Sequence, residues 1–119
     1  MLEKLSTVAI ITTDDTGLRQ LTHEEPKVFA KFTADNCPIC KALEPTFAKF
    51  ADDPAYEGIV FARLESDENP VAKQLMAQRT APFFVSYCQG RLLECDTRET
   101  AADVEAQLGR LRAHALDPA

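Results

Sequence analysis

Two thiols stand three positions apart in Asn36-Cys37-Pro38-Ile39-Cys40-Lys41, where a strand-like run gives way to a helix-like one. On a helix, residues at i and i+3 share a face, so the two sulfurs can meet. Pro38 suits the first helical turn, where its missing N–H costs nothing and its fixed φ is already helical. Cys37 then lies among unpaired N–H groups at the positive end of the helix dipole, which favours thiolate over thiol. Thiolate is the form that attacks disulfides, so the spacing points to a thiol–disulfide redox centre. A zinc site from Cys37, Cys40, Cys88 and Cys95 needs a second close-spaced pair, which the sequence lacks.

The elements that must position this pair read out in order. Thr7 to Thr12 is a short β-branched strand, and Asp14 or Asp15 caps a helix through Leu18 and Leu21 that ends before Pro26. Lys27 to Thr33 is a second strand, with Val28, Ala30 and Phe32 on one face and Phe29, Lys31 and Thr33 on the other. The Cys37–Cys40 helix carries Leu43, Phe47 and Phe50 towards Asp52, and Pro45 inside it is expected to kink it. Ile59 to Leu64 is a third strand, and Asn69 is the expected cap of a helix from Pro70 through Met76. Pro82 to Cys88 and Arg91 to Cys95 form a hairpin about Gln89-Gly90, and a last helix begins near Thr100. Strands linked by helices, with a hairpin at the end, predict an α/β mixed sheet covered by helices on both faces.

At 119 residues the chain fits a single domain, residues 1–119, large enough to bury a core without disulfide staples. A net charge of −6 with no basic patch argues against nucleic acid as a partner, and no apolar run approaches a membrane span. Glu3, Lys4, Asp14 and Asp15 bracket only a short apolar stretch, not a signal-peptide pattern, so the expected location is cytoplasmic. In that reducing compartment a Cys-x-x-Cys pair reads as catalytic or metal-binding before it reads as a structural bridge.

The sequence resembles the thioredoxin family over nearly its whole length. The matching pieces are Phe32-Thr33-Ala34-Asp35-Asn36-Cys37-Pro38-Ile39-Cys40-Lys41, then Glu44-Pro45, Asp67-Glu68-Asn69-Pro70, and Thr80-Ala81-Pro82-Phe83-Phe84 before Gly90. Each is weak alone; their order and spacing together are specific. The resemblance implies a thioredoxin-like fold of about five strands and four helices. It also implies a thiol–disulfide oxidoreductase acting on protein or small-molecule disulfides, with catalytic Cys37 as exposed nucleophile and Cys40 as the more buried resolving thiol. Pro82, which by itself reads as the start of a strand, becomes the family's cis-proline facing the sulfurs, and Ala81 presents backbone to an extended substrate. Asn36, Pro38 and Ile39 complete the substrate-binding rim. No cofactor is required, only a reductase or other thiol partner that resets the couple.

Two residues depart from the family pattern. Asn36 stands where the family usually has Trp, and Lys31 stands where it carries a buried acid six positions before the first thiol. A lysine on a strand covered on both faces is costly unless paired. Lys31 either pairs with Glu65 on the third strand, placing a cation under the thiols, or snorkels to solvent. Both departures favour an alternative reading, a thioredoxin-fold adaptor or redox-sensing module without catalysis. With a two-residue turn at Gln89-Gly90, Cys95 is expected opposite Phe84, on the same face as Cys88 but too far along the sheet to bridge. His23, His114 and the acidic clusters read as solvated surface, and the phenylalanines as core.

Overall fold

The computed structural model describes residues 10–118. Its elements run β1 Ile10–Thr12, α1 Asp15–Glu24, β2 Lys27–Thr33, α2 Pro38–Asp52, β3 Ile59–Glu65, α3 Pro70–Met76, β4 Phe83–Cys88, β5 Arg91–Thr97 and α4 Ala101–Ala113. Short 3-10 turns at Pro54–Tyr56 and Ser66–Glu68 flank β3. Thr7 to Ala9 of the expected first strand, and the Glu3 and Lys4 charges read above, lie outside the described residues.

The five strands form one mixed sheet in the order β1-β3-β2-β4-β5. The first three are parallel, and β4 and β5 run antiparallel to their neighbours. Strand β2 lies at the centre, which explains its sequence: with both faces covered, Val28 to Phe32 are all buried, and the strand reads as a nearly continuous apolar run. The alternation of β2 then sorts the core into two layers. Val28, Ala30 and Phe32 pack with Leu18 of α1 and with Ala72 and Met76 of α3. Phe29 packs on the other side with Leu43 and Phe47 of α2 and with Val104, Leu108 and Leu111 of α4. Phe47 is the centre of that second layer, its ring 5.5 Å from Phe61, 6.0 Å from Phe84 and 6.1 Å from Phe29. These are distances at which aromatic rings attract.

Helices α1 and α3 share their starts. Asp14 caps α1, its carboxylate accepting the Gly17 N–H at 2.8 Å. Asn69 holds the N-cap position of α3, but its side chain makes no cap bond to its own helix. Its Oδ1 accepts the Asp15 N–H at 2.8 Å instead, and the Asp15 carboxylate accepts the N–H groups of Val71 and Ala72 at 2.8 and 2.9 Å. The capping of α3 expected from Asn69 is therefore done by Asp15, from a different helix.

The hairpin differs from expectation by one residue. Gln89 (φ 51°) and Gly90 (φ 82°) form a two-residue turn with both φ values positive, the backbone that matches strand twist. A bulge then falls beside Ser86 and Tyr87, so Cys95 lies opposite Val85, and Asp96 lies opposite Phe84. A slip of one residue flips every side chain beyond it. Cys88 accordingly packs in the layer of Phe29 and Phe84, and Cys95 at the edge of the layer of Val28 and Val85. The two thiols occupy opposite faces, not the common face expected, and both are free.

Candidate active site

Helix α2 begins as the spacing of its residues requires. Pro38 takes the first helical position and Cys37 is the N-cap, with extended backbone. The first turn contains no acidic residue, so no carboxylate of the helix's own first turn offsets the positive end of its dipole at Cys37. The Cys40 N–H points at Cys37 Sγ from 3.2 Å, the bond that a serine hydroxyl oxygen accepts in an ordinary cap. Cys37 and Cys40 are joined as a disulfide with Cα atoms 5.2 Å apart. Cys37 is half-buried, whereas Cys40 is 4% exposed. One sulfur therefore faces solvent and the other faces the protein.

Across from Cys37 the Ala81–Pro82 peptide bond is cis, and the Ala81 carbonyl oxygen lies 3.7 Å from Cys37 Sγ. Pro82 is buried and its carbonyl accepts the Arg98 N–H at 3.1 Å, tying the turn to the end of β5. Between this turn and the head of α2 runs an open groove of about 480 Å³. Asn36, Pro38 and Ile39 form one wall, and Met76, Ala77 and Ala81 the other. Ile39 is an exposed apolar side chain at its rim. Asn36 has φ 54°, a left-handed conformation that Asn tolerates better than most residues because its short amide bonds locally. Ala77 is more unusual, with φ 57° and ψ −119°. It occupies the second position of a turn closed by the Arg79 N–H on the Met76 carbonyl at 3.0 Å, a position suited to glycine.

Lys31 is fully buried under this site. The expected pairing with Glu65 does not occur. Glu65 stands opposite Thr33 in the β2–β3 register, two pairs beyond Lys31 and Arg63, and its carboxylate accepts the Asp67 N–H at 3.1 Å. Burial pushes the Glu65 carboxyl up from its ordinary range. Snorkelling fails as well, because Nζ never reaches solvent. Lys31 Nζ instead donates to Glu44 Oε1 and to the Cys40 carbonyl, both at 2.8 Å, and stands 5.7 Å from the centre of the Phe47 ring. The other oxygen of Glu44 pairs with Arg63, which also donates to Thr12 Oγ1. Burial lowers the Lys31 pKa, and the hydrogen bond to Glu44 opposes that shift. Glu44 and Arg63 are the site residues that the sequence alone did not single out. The signal was there: Glu44 is four residues past Cys40, hence on the same helix face. A second groove, of about 770 Å³, joins Cys40, Glu44, Arg63 and Glu65. Among the described residues no cluster of His, Cys, Asp or Glu has metal-binding geometry.

Known proteins give the same picture. The family model described as Thioredoxin matches residues 8–109. A curated thioredoxin of Malassezia sympodialis is 30% identical over 87 residues, covering 73% of this chain and 82% of the relative. Among solved structures, the thioredoxin of Malassezia sympodialis superposes with a TM-score of 0.77 at 24% identity, over 87% of this chain and 90% of its own. Oxidised mitochondrial thioredoxin 3 of Saccharomyces cerevisiae does so with 0.76 at 25% identity, over 88% and 98%. Spinach chloroplast thioredoxin f reaches 0.78 at 17% identity, over 87% and 94%, a likeness of fold alone.

Proposed function

This chain belongs to the thioredoxin family, with thiol–disulfide oxidoreduction as its general activity, and from that premise we propose that it exchanges disulfides with extended protein segments through Cys37 and Cys40. The observation that carries the reading is the asymmetry of the pair: one sulfur at the open head of α2 and one sealed behind it. In the reducing direction the Cys37 thiolate attacks one sulfur of a substrate disulfide. The substrate S–S bond breaks, its far sulfur leaves as thiolate and takes a proton from solvent, and a mixed disulfide forms. Cys40, having lost its proton, attacks Cys37 Sγ and releases the second substrate sulfur, which leaves the Cys37–Cys40 disulfide. An external dithiol or a reductase partner restores the pair, and the reverse sequence oxidises a substrate dithiol.

The remaining roles follow from position. The helix dipole and the Cys40 N–H both stabilise negative charge on Cys37. The Ala81 main chain is the edge along which a substrate strand lies, with Asn36, Pro38 and Ile39 as the opposite rim. The net charge of −6 speaks for protein partners over nucleic acid, and the setting that suits a working dithiol is a reducing cytoplasm. Among the described residues no helix is long and apolar enough to cross a membrane. Reduction of insulin disulfides, with dithiothreitol as electron source, tests the reading. Wild type should accelerate the reaction well above background and Cys37→Ser should not. Equal rates for the two would favour the adaptor reading, in which the fold binds partners and the thiols do not turn over.

A further inference from the structure

We infer that Lys31, paired with the Glu44 carboxylate that Arg63 shares, is a positioning residue that stabilises the thiolate of Cys40, the buried resolving sulfur. The inference rests on the reading of Cys37 and Cys40 as a redox couple. A lysine with no solvent exposure on the central strand is retained at a cost of several kcal/mol unless its charge is matched. Its partners explain why it is there. One of its hydrogen bonds goes to the carbonyl of Cys40 itself, so the charge sits against the main chain of the residue that bears the sulfur. The other goes to Glu44, but that carboxylate is shared, its second oxygen belonging to Arg63. One anion thus serves two cations, and this contact network keeps one positive charge in excess.

Among the described residues no other carboxylate forms an ion pair with Lys31 or Arg63. Asp35 and Lys41, from the loop before α2 and from α2 itself, are exposed, opposite in sign and screened by solvent. Glu65, from β3, directs its carboxylate to the Asp67 N–H. When the disulfide is reduced by two glutathione thiols, it accepts two electrons as the thiols become glutathione disulfide. The Cys37–Cys40 bond breaks, and each sulfur either takes up a glutathione proton or stays as thiolate with that proton released to solvent. A cation beside Cys40 favours the second outcome there, readies Cys40 to attack, and stabilises the reduced form relative to the disulfide.

The test is the ionisation of Cys40, followed by thiolate absorbance in Cys37→Ser with and without Lys31→Met. Methionine fills the lysine's space and leaves Glu44 paired with Arg63. The expected result is an at least tenfold drop in the ratio of thiolate to thiol at a given pH, the lower end of what one neighbouring charge does. In the two-cysteine protein at about pH 9, the same substitution should move the glutathione equilibrium at least threefold towards the disulfide. Arg63→Met, at a partly exposed position that does not threaten folding, leaves Glu44 to neutralise Lys31 alone. It should shift Cys40 in the same direction by a smaller factor, which keeps the test decisive even if Lys31→Met does not fold. Unchanged Cys40 ionisation in either folded variant, with stability alone reduced, overturns the inference. These readouts need no protein substrate, so they fail or succeed separately from insulin reduction.

Discussion

At the scale of single residues, the chemistry depends on which side chains water can reach. Cys37 and Cys40 were legible at once, because their spacing and the proline between them act locally. Lys31 was legible as an anomaly, but its partner was not. A strand neighbour was expected, and the register puts Glu65 two pairs too far along while α2 brings Glu44 over from the helix layer. Tyr87 adds a titration that the sequence does not announce. Largely buried beside Cys95, its hydroxyl is pushed up to about 12, chiefly by burial. The folded state therefore holds this proton more tightly than the unfolded chain, whose tyrosine titrates near 10. The corresponding stability is intact below pH ~10 and is lost as pH rises towards about 12, amounting to about 2 to 3 kcal/mol. Denaturant titrations across that alkaline range should show the loss in wild type, and Tyr87→Phe should flatten it. A curve that is identical in the two would contradict the burial of that hydroxyl.

At the scale of elements, the helices and strands were readable because each is announced by its own residues: Pro38 and Pro70 at helix starts, β-branched and aromatic runs in strands, Gln89-Gly90 at the turn. What could not be read were the events with distant causes. The bulge beside Ser86 and Tyr87 belongs to the pairing of β4 with β5 and not to either strand alone, and it moves Cys95 to the other face of the sheet. The capping of α3 by Asp15 joins residues more than 50 positions apart. The turn after α3 is a third case. Ala77 holds a backbone conformation costing ~1–3 kcal/mol for a residue with a Cβ. Replacing it with glycine removes that strain and gives back roughly 0.5–1 kcal/mol through the looser unfolded chain. Relief of strain outweighs that loss, so Ala77→Gly should raise stability by about 1 kcal/mol, seen as a higher denaturant midpoint at constant slope. A lower midpoint would mean that the methyl group is held by contacts worth more than the strain.

At the scale of the whole molecule, two apolar layers share one sheet, and β2 belongs to both. Neither layer can be taken apart without exposing the other side of the same strand. We propose on this ground that residues 1–119 fold as one domain. Far-UV circular dichroism and tyrosine fluorescence should then report a single coincident unfolding transition, and two separated midpoints would refute it. The same interdependence reaches the groove by an indirect route. The first turns of α1 and α3 are spliced, each supplying the groups that finish the other, and α3 runs straight into the bent segment at Ala77 that walls the groove. Fraying at one start must therefore undo its twin. The rim beside the sulfurs is in effect guyed from behind the sheet, by two side chains that never see a substrate.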